Sequence, residues 1–531
     1  MPKNKKSKAA VESFVKRFES AKAHRATWES HWRECYEYAL PQREVFNNVQ
    51  QGAKKNTRIY DSTALIATQR FASRLQSTLI PPFKKWAKLS AGSSIPNEQQ
   101  NQVDGELEQM TNTLFSYLNQ SNLATEANEA FLDLAVGTGA LLLEEGEGDN
   151  LLKFTAVPIK QLILENGPQG TVETVFREHG VPARDILRIW PLGTVSTQVK
   201  RIIEEKPNDL IAVIEGTIYN AKNDNYEYVI IEESTKHVVF EDYYDISPWV
   251  VFRWSKVAGE RYGRGPVMAA LPDIKTANEV VKFVLNNAEK EIAGVYTAVD
   301  DGVLNPWTVN TAPGSVIPVA QQGSLEQLQS GGNFNVSQLI LEELRNNIRM
   351  ALYHDQLGPV AGPTKSATEI SIRQQELMSD IGSSFGRLQK EFINKVIKRS
   401  IDILQRNGHV PDIKVGNQII DIKVISPLAQ QQDMDEVNKL AQFVQFAGMV
   451  GEEALTIGLD LEAFPEHIGK LLGVAPELIR SREQREKMKQ AQAQEAKAMQ
   501  MAEMAMQNPA LAQEAAENPE VADAAMRGEL E

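Results

Sequence analysis

The fold is decided by two amphipathic segments, PVMAALPDIKTANEVVKFVLNNAEKEIA at residues 266–293 and VSQLILEELRNNIRMALYHDQL at residues 336–357. Apolar residues recur in both segments every three or four positions, which predicts two helices with one apolar face each. From Pro272 to Ala293 the first helix extends roughly 33 Å, at a rise of about 1.5 Å per residue. The Gly- and Pro-rich segment 294–335 joins the two helices and predicts a small excursion of loops or short strands.

A third helix of unusual length is predicted directly after this pair. The Gly- and Pro-rich loop 358–366 leads into Ser366-Ala367-Thr368-Glu369, the pattern of a capping box, and an apolar stripe then continues to Arg406. Such a helix would be about 60 Å long. Two such helices and a third of this length, with no sheet between them, are difficult to pack within a compact monomer. The pattern favours packing against copies of the same chain in a ring.

The rest of the chain predicts an α+β protein that is mainly helical. Up to Val136 the apolar residues follow a helical period, and Asp61 is the expected N-cap of the second of these helices. Between residues 140 and 255, β-branched and aromatic runs separated by turn residues predict antiparallel strands with a short helical insert. A strand pair is expected around residues 413–425. Residues 431–531 predict helices and an Ala-, Met- and Gln-rich tail, either ordered or disordered at its end.

The charge balance is acidic, with 56 Lys and Arg against 70 Asp and Glu and a formal net charge of −14. Tight binding of nucleic acid relies on clustered Lys and Arg, so this balance argues against it. Cys35 is the single cysteine, which excludes an internal disulfide and a cysteine-based zinc site. No run of about 18 apolar residues occurs, so no membrane-spanning segment is predicted. These features fit folding in a reducing, intracellular compartment.

No motif of an enzyme active site is present in the sequence. A Walker A loop is missing, and Gly263-Arg264-Gly265 precedes Pro266 as a turn would. The seven histidines show no metal-ligand spacing. Adjacent carboxylates such as Glu144-Glu145 and Glu232-Glu233 are expected mostly on solvated faces. The sequence therefore predicts neither an enzyme nor a cofactor or metal site.

Basic residues form a candidate stripe along the two opening helices: Lys275, Lys282, Lys290, Arg345 and Arg349. One interpretation is that the stripe faces the phosphates of a nucleic acid. The other is ordinary pairing with acidic neighbours on the same helices, such as Glu279 and Glu342. Lys365 stands apart from the stripe, in the loop between two long helices, and is more exposed to whatever passes there.

Several stretches follow the order and spacing of a known family. They are WRECYEYALP (32–41), YDSTA (60–64), FASRL (71–75), LIPP (79–82), GRGP (263–266) and TKSATEI (364–370). Each is unspecific alone, but their order is specific. From about residue 10 to residue 480 the sequence resembles the portal, or head-to-tail connector, proteins of short-tailed bacteriophages.

The resemblance implies a portal-type fold that assembles into a ring, divided along the chain as follows: a wing of helices and antiparallel strands (1–262), a first stem helix (263–293), a clip (294–335), a second stem helix (336–357), a tunnel loop (358–366), a long wing helix with a strand return (367–430), and a helical crown with the C-terminal tail (431–531). Thr364, Lys365 and Ser366 would then lie in the tunnel loop, beside the channel.

The resemblance also implies what the ring does. Twelve copies would sit at one capsid vertex of the virion, after assembly in the host cytoplasm, and double-stranded DNA would enter and leave through them without tight binding. Expected partners are the terminase large subunit, a tail adaptor, and scaffold, capsid and internal core proteins, with no membrane. In such a conduit the acidic balance is an advantage, because DNA must slide in both directions.

Two other readings of the sequence remain open at this point. The first is a structural adaptor or internal virion protein that stacks on a ring without lining its channel. The second is a carboxylate-dependent hydrolase, for which no motif in the sequence provides support.

Overall fold

The computed structural model describes residues 8–43, 46, 52–91, 97–146, 148, 150–293, 296–298, 325–327, 334–353, 382, 384–411, 420–424 and scattered positions between 437 and 491. The chain divides into two compact units, Met1–Ser426 and Pro427–Glu531. All the elements named below belong to the first unit.

Four helices open the chain: α1 (Lys8–Ala39), α2 (Thr63–Leu79), α3 (Asn97–Gln120) and α4 (Leu123–Val136). They form where the sequence predicts them, because apolar residues at helical spacing bury one face of each helix. The start of α2 differs slightly from the prediction. Ser62 is the cap residue, although its side chain makes no capping bond, and the Asp61 carboxylate accepts a hydrogen bond from the backbone N–H of Thr63 at 2.9 Å.

The predicted antiparallel region folds into two sheets. The larger sheet has five antiparallel strands in the order β4-β5-β6-β7-β8, and the smaller has the order β3-β2-β9. Their bounds are β2 (Thr138–Glu145), β3 (Leu152–Ala156), β4 (Leu162–Asn166), β5 (Val172–Pro182), β6 (Leu210–Asn220), β7 (Asn225–Glu232), β8 (Val238–Tyr244) and β9 (Trp249–Arg253). Mixed helix and strand structure is confirmed, but β4 was not predicted.

Helices cover both faces of the five-stranded sheet. The first turns of α1 pack on one face, where Phe14 and Phe18 meet Phe176 edge-on at centroid distances of 5.3 and 5.9 Å. The short helices α5 (Ile186–Ile189) and α6 (Thr197–Glu205) lie on the other face, around Trp190. This is the helical insert that the sequence indicates between the strands.

The two amphipathic segments at residues 266–293 and 336–357 form α7 (Pro266–Ala293) and α8 (Phe334–Ala351), which pack against each other. The second helix begins and ends earlier than predicted. Turn residues follow it, and Tyr353 adopts a positive φ of 53° against the ring of Trp254. Within the predicted excursion, β10 (Tyr296–Ala298) pairs antiparallel with β11 (Leu325–Gln327). The predicted tunnel loop, 358–366, lies outside the described residues.

The long helix predicted from Ala367 to Arg406 is described mainly from Ser384 onward. There it is not a uniform α-helix, because a π-helical turn at Gln389–Ile393 precedes α9 (Asn394–Arg406). The Glu391 carboxylate in this turn accepts hydrogen bonds from the backbone N–H and the guanidinium of buried Arg253. A π turn is a frequent local solution where one side chain must be re-aimed within a helix.

The strand pair expected around residues 413–425 also requires correction. Its described strand is β12 (Ile420–Val424), and the partner of β12 is β1 (Ala87–Ala91), which was not predicted. This pairing joins distant parts of the chain, and residues 412–419 of the predicted pair lie outside the described residues.

Candidate functional site: the helix pair α7–α8

The segment before α7 is held by hydrogen bonds to the end of α4 and the start of β2. Gly263 N donates to Thr138 Oγ1 at 2.8 Å, and Gly265 N donates to the carbonyl of Val136 at 2.9 Å. A Cβ on Gly265 would collide with the backbone of Ala135. Gly263-Arg264-Gly265 is thus a closely packed segment before α7 in which Arg264 pairs with Ser255 in an antiparallel bridge, and it is not the turn that the sequence predicts.

One buried amide ties the middle of α7 to the segment that leads into α2. Asn278 is 3% exposed. Its Oδ1 accepts from the backbone N–H of Tyr60 at 2.7 Å and of Asp61 at 3.2 Å, and its Nδ2 donates to the carbonyl of Arg58 at 3.0 Å. Three backbone groups before α2 are therefore satisfied by one side chain of α7.

The same segment is tied to α8 by an ion pair. A guanidinium nitrogen of Arg345 lies 2.8 Å from Oδ2 of Asp61. Burial alone would raise the pKa of Asp61, but the hydrogen bonds from Thr63 and the charge and hydrogen bond of Arg345 outweigh it, so this pKa lies below its ordinary value. Asp61 thus remains ionised at neutral pH between α2 and α8.

The basic residues of α7 are also paired. Nζ of Lys275 lies 3.0 Å from a carboxylate oxygen of Glu34 on α1, and Nζ of Lys282 lies 3.2 Å from Glu279, one turn away. For Lys282 the structure therefore agrees with the second interpretation of the stripe, in which a basic residue pairs with an acidic neighbour on its own helix. Lys275 and Arg345 instead join the helix pair to the N-terminal helices.

Of the remaining candidates, Arg349 is half-buried and the others lie outside the described side chains. Arg349 donates to Oδ1 of Asn346 at 3.2 Å on α8. Lys290 lies in α7, but its side chain is outside the description, and the described residues do not include Thr364, Lys365 and Ser366. The structure therefore brings Lys282 and Arg345 to the segment before α2, at Tyr60 and Asp61, and places Lys275 against α1, while the role of the loop stays a prediction.

Large apolar side chains remain exposed on the helix pair. Phe283 is 61% exposed and Leu285 is 52% exposed on α7, while Leu339 and Met350 on α8 are 70% and 62% exposed. Clusters of exposed apolar side chains on helices commonly mark protein interfaces. The helix pair thus has one side bound to the N-terminal helices and apolar side chains left for another partner.

Buried carboxylates correct one expectation from the sequence. Glu232 is fully buried and Glu144 is half-buried rather than solvated, and burial raises the pKa of Glu144. Glu215, which sequence reasoning did not single out, is 1% exposed, accepts a hydrogen bond from the Tyr228 hydroxyl at 2.7 Å, and has a pKa raised to about 7 by burial. In the sequence, Glu215 is marked out by its position as a charged residue within a predicted strand rich in β-branched residues.

No group of three or more His, Cys, Asp and Glu side chains suited to a metal ion occurs in the part of the chain that the structure describes. Among the described helices, none combines the length and apolar character needed to cross a membrane.

Comparisons with known proteins identify a family and individual relatives. The family described as bacteriophage head to tail connecting protein matches residues 12–479. A portal protein of Salmonella phage epsilon15 is 24% identical, over 92% of this chain and 93% of the relative. A probable portal protein of Bordetella phage BPP-1 is 23% identical, over 88% of each chain.

One solved structure, the virion of a native gene transfer agent particle, matches 78% of this chain and 90% of that chain with 12% identity and a TM-score of 0.33, too low to bear on the fold. The resemblance that the sequence indicated is confirmed by the curated relatives. Because the family match spans most of its length, the chain belongs to the bacteriophage head to tail connecting proteins.

Proposed function

We propose that copies of this chain form the ring-shaped channel at one capsid vertex through which double-stranded DNA is packaged and ejected. The ring would also serve as the docking platform for the terminase large subunit and, later, the tail adaptor. Support comes from the family, whose members connect head to tail, and from the portal proteins of the two phages above. Scaffold, capsid and internal core proteins are the further partners proposed, with assembly in the host cytoplasm.

The exposed apolar side chains of α7 and α8 carry this proposal. Burying a side chain such as Phe283 or Leu339 is worth roughly 1.5–3 kcal/mol, so leaving several in water is unfavourable. Packing of α7 and α8 against the same helices of a neighbouring copy would remove them from water. Repetition of this contact in one rotational direction closes a ring.

Charge supports passage rather than capture of DNA. Each copy has a formal net charge of −14, so a ring wall repels phosphates. Lys275, Lys282 and Arg345 are already paired with carboxylates of the same chain, which weakens them as phosphate ligands. The proposed channel contacts are therefore transient, with Thr364, Lys365 and Ser366 of the tunnel loop nearest to the DNA.

The domain assignment is part of the same proposal. Residues 1–262 would form the wing, 263–293 and 336–357 the stem, and 294–335 the clip. The small β10–β11 pair between α7 and α8 fits a clip that projects from the stem. Residues 367–430 would return through the wing, and residues 431–531 would build the crown.

Phage particles made without this chain test the proposal against the adaptor alternative. Loss of the channel should give heads that contain no packaged DNA, because the motor then has no vertex on which to act. Loss of an adaptor that stacks on the ring should give DNA-filled heads without tails. Supplying the chain from a plasmid in the same infection controls for effects on neighbouring reading frames.

A further inference from the structure

The loop between α2 and β1 presents an exposed aromatic side chain on a strained backbone. Phe83 has a φ of 60° and is 83% exposed. A bulky residue with a backbone in this left-handed region is a genuine outlier, and such strain persists where the surroundings or a function require it. Burial of the side chain does not compensate for this strain, because most of the side chain lies in water.

Both ends of the loop are buried, which fixes the backbone position from which Phe83 projects. Leu79 and Ile80 are buried before it, and Trp86 is buried after it against Phe115, at a ring centroid distance of 5.1 Å. Pro81 and Pro82 restrict the backbone in between, and Lys84 N donates to the carbonyl of Pro81 at 3.4 Å. A fixed aromatic side chain loses little entropy on binding, which is the property of an interface hot spot.

The charges beside Phe83 indicate the chemistry of its partner. Lys84 and Lys85 are both exposed, and Lys85 also donates to Asn112 on α3. An apolar socket bordered by carboxylates would complement this loop. The chain itself has such surfaces away from the helix pair: Leu210, at the start of β6, is 70% exposed beside the exposed Asp209.

We propose that the loop formed by residues 81–85 is a second contact between neighbouring copies of this chain, in which Phe83 enters an apolar, acid-bordered socket of the next copy. This inference rests on the proposed ring. The excess of acidic residues in every copy favours a second copy as the occupant, because two lysines then meet an oppositely charged surface. The strain at Phe83 is retained in the protomer because the side chain is needed between protomers.

The test uses the full-length variant Phe83→Gly, in which glycine tolerates a positive φ. Strain relief should raise the Tm of the protomer by about 2 °C, measured at concentrations too low for assembly. Loss of the aromatic side chain should at the same time weaken self-association about tenfold or more, measured by sedimentation across a concentration series. Opposite signs in the two measurements distinguish this role from general damage to the fold.

Leu192→Gly is the matched control, because Leu192 is 88% exposed on a backbone of ordinary φ. It should leave self-association unchanged. Equal weakening by both variants, or normal assembly of Phe83→Gly while the wild type forms rings, overturns the contact and leaves the ring itself intact. Normal assembly with failure to enter heads overturns a second copy as occupant in favour of another virion component. A wild type that never assembles overturns the proposed ring and this contact together.

Discussion

Arg345 on α8 and Asp61 before α2 form an ion pair with an N–O distance of 2.8 Å across 284 positions of sequence. The Asp61 side chain is 4% exposed, whereas that of Arg345 is 36% exposed. Together with the Asn278 amide on α7, this pair attaches the helix pair to the N-terminal helices. The angle between these parts, and therefore the direction in which α7 and α8 present their apolar side chains, depends on it.

Replacing Asp61 by Asn should lower the free energy of unfolding by about 1–3 kcal/mol. The neutral amide loses the charge interaction with Arg345 and leaves a guanidinium without its carboxylate, although partial exposure of Arg345 moderates the cost. Denaturant unfolding measures the change. Glu279→Gln is the control, because its pair with Lys282 is exposed on both sides and should contribute well below 1 kcal/mol. Equal effects of the two variants would contradict a special role for Asp61.

The acid dependence of the same variant follows from the lowered pKa of Asp61. A carboxyl with a folded-state pKa below its unfolded value contributes stability above that unfolded value, and the contribution is lost as the pH falls through the folded pKa. The difference in unfolding free energy between the wild type and Asp61→Asn should therefore be full at neutral pH and should shrink below about pH 4. A difference that stays constant from neutral to acid pH would show that the charge of Asp61 is not responsible.

Glu215 should produce the opposite pH dependence. Its pKa is raised from 4.5 to about 7, by burial first and by Glu144 in addition, while Arg177 and Tyr228 act against the rise. Because the folded state binds this proton more tightly, stability is full below about pH 4.5 and falls as the pH rises towards 7. Glu215→Gln keeps an acceptor for the Tyr228 hydroxyl and has no charge to bury.

The variant should therefore gain stability relative to the wild type between pH 5 and pH 8, by up to about 3 kcal/mol. Urea unfolding at these two pH values measures the gain. Glu233→Gln, on the turn that follows β7, controls for the change in net charge and should show no such trend. If the difference in unfolding free energy between Glu215→Gln and the wild type stayed constant across this pH range, the raised pKa of Glu215 would be contradicted.

Charges placed on the exposed apolar side chains of α7 and α8 should block assembly without unfolding the protomer. Phe283→Glu and Leu339→Glu should each leave the circular dichroism spectrum and Tm nearly unchanged, because both side chains are more than half exposed. Self-association should weaken by about tenfold or more, since a carboxylate would be buried between copies. Val257→Glu, at a loop position with 45% exposure, is the control. Assembly of all three variants at wild-type strength would place the interface elsewhere.

Lys365→Ala tests the proposed tunnel loop separately from the ring. Ring assembly should be intact, because a single loop lysine contributes little to contacts between copies. The amount of DNA packaged, or its retention in filled heads, should change. Lys222→Ala, at an exposed turn between β6 and β7, provides a matched loss of one positive charge. Normal packaging and retention with Lys365→Ala would remove any special role of this lysine in the channel.

Elements with a strong local period could be predicted from the sequence, and contacts between distant segments could not. The spacing of Phe14, Phe18 and Trp32 predicts α1, and the pattern around Ile274 and Ile348 predicts the helix pair, because burial of one face imposes that period.

Other features depend on partners far along the chain. Strand β1 pairs with β12, so its five residues carry no hairpin signal. The π turn at Glu391 forms against Arg253, 138 positions away, and interrupts a stripe that reads as a continuous helix. Lys275 and Arg345 have acidic neighbours on their own helices, yet their carboxylate partners are Glu34 and Asp61. Spacing reveals such residues but does not choose between their possible partners.

The central claim is that this chain closes into a ring wide enough for DNA. The most direct measurement is a top view of the purified full-length protein by electron microscopy. The account predicts closed rings, of about twelve copies, with a central opening at least as wide as a DNA duplex, roughly 20 Å. Monomers, open filaments, or closed rings with an opening narrower than the duplex would contradict it.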